Sequence, residues 1–132
     1  MEKRDARMRD ITFMSAKNEA LVTVHSAIAR KFAKKLERDD RVVRYRTDVP
    51  LEKLKERLDV QNIRVAYVEE EWQTDFMVYF EDGCVMIYEV VDAESLKRKA
   101  VAEKLEVSRR YWKTLNVHDW KIAVVEEDET KW

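Results

Sequence analysis

Residues 74–97 read TDFMVYFEDGCVMIYEVVDAESLK, and the register of this stretch decides the fold of the chain. From Phe76 to Phe80 and from Cys84 to Val91 nearly every residue is apolar, with Glu81, Asp82 and Gly83 between the two runs. Two apolar runs around an Asp-Gly predict a β-hairpin, and strands apolar on both faces must be covered on both. Gly83 is the chain's only glycine, so it sets where the chain turns. A two-residue turn at Asp82-Gly83 pairs Glu81 with Cys84, which places Asp75 opposite Val90 and turns Glu89 to the other face. A three-residue loop over Glu81–Gly83, with Gly83 left-handed, pairs Phe80 with Cys84 and places Asp75 directly opposite Glu89. The sequence leaves both registers open.

In the second register two carboxylates meet inside an apolar sheet, an arrangement that calls for a proton or a cation between them. Mg²⁺ suits such a pair, because it is held by one or two carboxylates and keeps its other positions for water and phosphate. The plainer alternative makes Asp75 a strand-start residue near solvent and Glu89 a strand-end residue paired with a lysine of the next helix.

Upstream of the hairpin, Ala20, Leu21, Val24, Ile28, Phe32 and Leu36 recur at helical spacing. They predict one amphipathic helix capped by Ser15 and reaching about Arg38. RVVRYRTDVP then predicts a strand ending before Pro50, LEKLKERLD a short helix carrying Leu51, Leu54 and Leu58, and NIRVAYVEE a half-buried strand with Ile63, Val65 and Tyr67. Downstream, Asp92 caps a second long helix with a stripe of Leu96, Ala100, Leu105, Ser108, Trp112 and Leu115, and WKIAVV from Trp120 returns as a strand. This order predicts an α/β fold, a mixed central β-sheet with flanking helices, in which the helix before the last strand is a parallel crossover. At 132 residues the expectation is a single domain over 1–132, with 1–10 and 127–132 frayed.

Charged residues make up 40% of the chain, and 26 Lys+Arg against 27 Asp+Glu leave a net charge of −1. That balance excludes a bulk polycation, so nucleic-acid binding requires a local basic face. RKFAKK at 30–35, LKRK at 96–99 and RRYWK at 109–113 offer cations near aromatic or apolar residues, though each is flanked by acids and equally suits a solvated helix face. The single cysteine, Cys84, sits within a strand pattern as a small apolar residue and fits a reducing compartment. No apolar leader and no run of about 18 apolar residues is present, which predicts a cytoplasmic location. His25 and His118 lack the partners of a zinc motif, and one glycine excludes a Gly-rich phosphate loop.

An acid opening a strand, a DG turn, and a strand ending in an acid ahead of a helix resemble the PD-(D/E)XK, or restriction-endonuclease-like, nuclease superfamily. QTDFMVYFEDGCVMIYEVV, followed by KLEVSRRYW from Lys104, is most similar to the N-terminal catalytic domain of TnsA-like endonuclease subunits of heteromeric transposases. FMSAKNEALV resembles the family's first helix, whose acid is then Glu19, and DDRVVRYRTDVP resembles the strand and turn that follow. The likeness covers residues 11–125. It implies a DNA endonuclease in which Asp75 and Glu89, helped by Glu19, bind Mg²⁺ or Mn²⁺. It also implies DNA as partner, with a transposase or other recombination protein, and makes a homodimer plausible for a protein that cuts two strands.

Two positions depart from the family pattern. The lysine expected two residues after the second acid is Val91, and the frequent proline before the first acid is Thr74. Lys97, about one turn into the expected helix, and Lys104, about three turns in, are the candidates to replace the lysine. The same resemblance admits a degenerate member that keeps the fold, has lost cleavage, and serves as a DNA-binding or protein-interaction subunit. The C-terminal, partner-contacting domain of TnsA-like proteins has no counterpart here, so the expectation is a stand-alone catalytic-type domain.

Overall fold

The hairpin adopts the three-residue loop. Phe76 pairs with Tyr88 and Tyr79 with Val85, the Phe80 amide donates to the Cys84 carbonyl at 3.0 Å, and Gly83 has φ 90°. The computed structural model describes residues 8–52 and 73–126. Its strands are β1 (Met8–Ser15), β2 (Ala20–Ser26), β3 (Val42–Pro50), β4 (Gln73–Phe80), β5 (Val85–Val91) and β6 (Asp119–Val124). Its helices are α1 (Ala27–Arg38), α2 (Ala93–Leu96) and α3 (Lys99–Lys113). β3, β4, β5 and β6 form one sheet in that order, and β1 and β2 form a separate antiparallel pair. β3, β4 and β5 run antiparallel to their neighbours, while β6 joins β5 in parallel, so the sheet is mixed and the fold is α/β. The expected short helix with Leu54 and Leu58 and the strand at 63–67 lie outside the described residues.

Both faces of the hairpin are covered, as its apolar sequence requires. On one face Phe32, Ala33 and Leu36 of α1 pack with Val22, Val24, Val42, Tyr45, Phe76, Val78 and Val90. Phe32 lies 5.0 Å from the Phe76 ring and 5.1 Å from that of Tyr88. On the other face Val107, Tyr111 and Trp112 of α3 pack with Val49, Leu51 and Ile87. α2 and α3 carry the chain from β5 to its parallel neighbour β6. Among the described residues no helix is long and apolar enough to cross a membrane.

The single helix expected from Ser15 is instead a β-hairpin followed by a shorter helix. Ile11 and Phe13 flank Thr12, and Val22 and Val24 flank Thr23, a two-residue repeat that is a strand period. Glu19, at φ 55°, closes the turn between β1 and β2. Ser15 accepts the Asn18 amide at 3.0 Å within that turn, and the helix cap is Ser26, whose hydroxyl accepts the Ala29 amide at 3.2 Å. The four-residue spacing of Val24, Ile28, Phe32 and Leu36 ran across a strand end, so only the last three belong to α1. β1 also begins at Met8, inside the stretch expected to fray.

The helix expected from Asp92 is broken as well. Asp92 caps α2 by accepting the Ser95 amide at 2.7 Å, but Lys97, Arg98 and Lys99 are all exposed. Helices in proteins are held mainly by packing, and no apolar residue anchors the chain at that point, so it turns before α3 begins.

The β1–β2 hairpin is tied to the outer edge of β3. The Asn18 side-chain amide donates to the Tyr45 carbonyl at 2.8 Å and accepts the Tyr45 amide at 3.0 Å, standing in for a strand partner. Lys17 Nζ donates to the Val42 carbonyl at 2.8 Å. His25, in β2 and not in a helix, bridges two carboxylates, with Nδ1 2.7 Å from Asp10 Oδ1 and Nε2 2.8 Å from Asp48 Oδ2. The Asp10 hydrogen bond raises the His25 pKa above its usual 6.5, partial burial opposes the rise, and Asp48 adds to it. Only the imidazolium can donate to both acids at once.

Stability from the His25 bridge is therefore complete below about pH 6.5 and lost as pH rises through the raised folded-state value. In chemical denaturation the native chain should exceed His25→Gln in stability by more at about pH 6 than at about pH 9, and an equal gap at both would exclude a charged bridge. A Cβ on Gly83 would meet nothing within 4 Å, so Gly83→Ala should expose the backbone strain alone, a loss of about 1 kcal/mol.

Candidate functional site

The sheet forks at the acids. β4 pairs with β5 only from Tyr79–Val85 to Phe76–Tyr88. Beyond that point β4 stays with β3 as far as Gln73–Pro50, and β5 stays with β6 as far as Val91–Val124. Since Phe80 and Cys84 form a hydrogen-bonded pair, the next such position past Phe76–Tyr88 is Thr74–Val90. There the Val90 amide donates to Asp75 Oδ2 at 2.8 Å, and the Asp75 amide donates to Glu89 Oε1 at 3.1 Å. The Asp75 carboxylate thus takes the place of the ladder carbonyl for Val90 where the strands part, and Glu89 holds the Asp75 amide beside it.

Glu89 is 6% exposed and its charge is met by several donors. Oε2 accepts the Thr74 hydroxyl and, at 2.5 Å, the Ser108 hydroxyl. Ser108 Oγ in turn accepts the Trp120 indole N–H at 2.9 Å, so β4, β5, α3 and β6 all meet at this carboxylate. Burial is the largest influence and raises the Glu89 pKa above its ordinary value, against the pull of the Ser108, Thr74 and Asp75 hydrogen bonds. Asp75 is only half-buried by surface area, yet desolvation of its carboxyl is the largest cause of a pKa pushed well above its ordinary value. The Glu89 charge is the next largest cause, and the Val90 amide opposes both. Three donors favour ionised Glu89 and one favours ionised Asp75, so of the two acids Asp75 is the one more strongly driven to keep a proton.

Asp48 adds to the rise at Asp75. It lies between the pairs Thr47–Phe76 and Val49–Thr74 and therefore stands across β4 from Asp75. Its φ of 54° is costly for a residue with a Cβ. At this point the neighbours change face, with Thr47 opposite core residue Phe76 and Val49 packed in the α3 cluster.

Asp75 and Glu89 line a cleft of about 160 Å³ between the sheet and α3, together with Val91, Lys104 and Ser108 and the apolar side chains of Leu51, Val101 and Leu105. Of the residues singled out in the sequence, the fold brings Asp75, Glu89 and Lys104 together, with Val91 beside them. Lys97 lies at the end of α2, 76% exposed and 3.8 Å from Glu94, and does not line the cleft. Glu19 is exposed in the β1–β2 turn and does not line it either, and α1 has no acid in its first turn. Arg109 and Arg110 both pair with Glu106, at 2.7 and 2.6 Å, as residues of a solvated helix flank do.

Thr74, Ser108, Asp48 and Trp120 escaped the sequence reading as site residues. A hydroxyl within the apolar stripe of α3 was the one available signal, since a buried Ser needs a partner. Among the described residues, no group of three or more His, Cys, Asp or Glu side chains could hold a metal ion. A hard divalent cation placed there would meet two carboxylates, Asp75 and Glu89, and would need water in its remaining positions. No protein-family model and no curated protein matches the chain.

Glu89→Ala strands the Thr74, Ser108 and Asp75 donors and should cost about 3 kcal/mol or more in chemical denaturation. Asp75→Asn keeps both an acceptor for Val90 and a donor for Glu89, as the protonated acid does, and should change stability by less than about 1 kcal/mol. A large loss in Asp75→Asn would show that the pair is not holding a proton.

Proposed function

We infer that this chain is a metal-dependent DNA endonuclease of TnsA-like type, hydrolysing phosphodiester bonds at the forked edge of its sheet. The observation that carries the reading is the meeting of Asp75 and Glu89 in one cleft with Lys104 and with Val91, the position of the missing lysine. Asp75 and Glu89 are the residues to hold Mg²⁺ or Mn²⁺, and bound there the ion supplies Lewis acidity and a water of lowered pKa. Thr74 and Ser108 fix the Glu89 carboxylate so that it does not swing on ligand entry. Lys104, on the opposite wall, is the cleft-lining cation to position the water and offset charge on the phosphate, the task that Val91 cannot perform. The partner is then DNA, with a transposase or other recombination protein.

A second reading is favoured by a specific observation. Glu89 already accepts three protein hydrogen bonds, and neither Glu19 nor any residue of the first turn of α1 brings a third acid. On this reading the chain is a degenerate nuclease fold that binds DNA or a partner protein without cutting.

Supercoiled-plasmid nicking in Mn²⁺ separates the two. Endonuclease activity should vanish in Asp75→Ala and fall about 100-fold or more in Lys104→Ala. No nicking by the native chain, with activity gained in Val91→Lys, selects the degenerate reading. Mn²⁺ at about 100 times its dissociation constant should stabilise the native chain by roughly 2.7 kcal/mol. Absence of that shift, together with silence of both chains in the nicking assay, would reject metal-dependent cleavage here.

A further inference from the structure

We propose that Arg44 and Arg46 of β3 form a track for the phosphate backbone of duplex DNA, leading across the sheet toward the Asp75–Glu89 cleft. This rests on the DNA reading above and adds to it a surface to receive the nucleic acid, on a strand apart from the basic helix segments singled out in the sequence.

The argument begins with the pairing register. Arg44 pairs with Tyr79 and Arg46 with Met77, whereas Tyr45 between them pairs with Val78. Tyr45 and Val78 are buried in the α1 core, so the two arginines point to the other face of the sheet. Met77 packs against the α3 cluster, and this is the face on which α3 lies and the cleft opens. Both arginines are exposed. Arg46 is the diagonal neighbour of Asp75 across the β3–β4 pair, and residues so related lie about 7–8 Å apart, within reach of a long side chain. Arg44 stands one outward-facing position farther along the strand, about 7 Å away, so the pair is spaced on the scale of successive backbone phosphates.

Their electrostatic state also differs from that of Arg41, Arg109 and Arg110. Arg41 is bound to Asp39 through Nε and Nη2, at 3.0 and 2.8 Å, and Arg109 and Arg110 are held by Glu106. Among the described residues no carboxylate pairs with Arg44 or Arg46. The Arg44 guanidinium instead lies 3.8 Å from the Tyr79 ring centroid, a contact that holds the cation in place while leaving its donors available. A polyanion with charges repeated along its length is the partner such a strip complements. The cleft beyond it carries acids and one lysine, so anchoring cations must lie outside the cleft if a phosphodiester is to be held against like charge.

Fluorescence anisotropy with a short labelled DNA duplex, in EDTA so that no cleavage occurs, tests the track. Arg44→Ala/Arg46→Ala should weaken binding about tenfold and lower the slope of log affinity on log salt by about 0.9 per arginine removed. Lys34→Ala/Lys35→Ala removes the same charge from exposed positions of α1 on the opposite face, and should leave affinity within about twofold. Circular dichroism of both variants checks that each is folded. Equal loss in the two double variants, or no loss in the arginine variant, overturns the track and leaves the nuclease reading standing. Failure of the native chain to bind the duplex even at low salt overturns both.

Discussion

The Val90 amide donates to a side chain, Asp75, where a neighbouring strand would ordinarily offer a carbonyl, and much of the architecture around the cleft follows from that bond. A fork in a sheet leaves backbone groups without partners in a region too enclosed for water to serve them freely, and an unmet buried amide is costly. Asp75 and Glu89 meet that need from the two sides of the fork. Two carboxylates at one point create a new cost, like charge in a dry place. The molecule offsets it by loading hydroxyl and amide donors onto Glu89, while burial and the Glu89 charge push the Asp75 carboxyl toward its neutral form. Opening the sheet and burying acids are therefore one structural decision: the fork makes room for a cleft and the acids make the fork tolerable.

That decision is set at the far end of the hairpin. Gly83 adopts a conformation that L residues resist, and the extra loop residue it permits brings Asp75 level with Glu89. A one-residue slip would send every side chain of β5 to its opposite face, burying the wrong half of the strand and separating the acids. The turn and the site lie about seven residues apart on each strand, yet the backbone conformation of one residue governs both.

The apolar hairpin, its need for cover on both faces, the strand at 42–50, the final strand and the parallel crossover were legible, because continuous apolar runs and turn residues are local signals. The convergence of Asp75 and Glu89 was legible only as one of two registers, since loop length is decided by backbone geometry that composition does not encode. The N-terminal hairpin was mistaken for a helix because Val24 falls four residues before Ile28 by coincidence, and because its turn is closed by Glu19 in a left-handed conformation without glycine to announce it. Lys104 could be named but not distinguished from Lys97, because that choice depends on where the helix breaks. Thr74 and Ser108 were invisible as site residues, since a hydroxyl declares its partner only in three dimensions. Nothing in the sequence singles out Arg44 and Arg46, because the face of the sheet they occupy is set by the pairing register.

The Trp120 indole is one hydroxyl away from the Glu89 carboxylate, joined to it through Ser108. An indole responds to the electric field along its ring, and here the nearest buried charge is relayed to it by an N–H···O–H···O⁻ chain. Whatever adds or removes charge at the fork will therefore alter the emission of this tryptophan before any backbone moves. The cleft has a spectroscopic observer built into its wall.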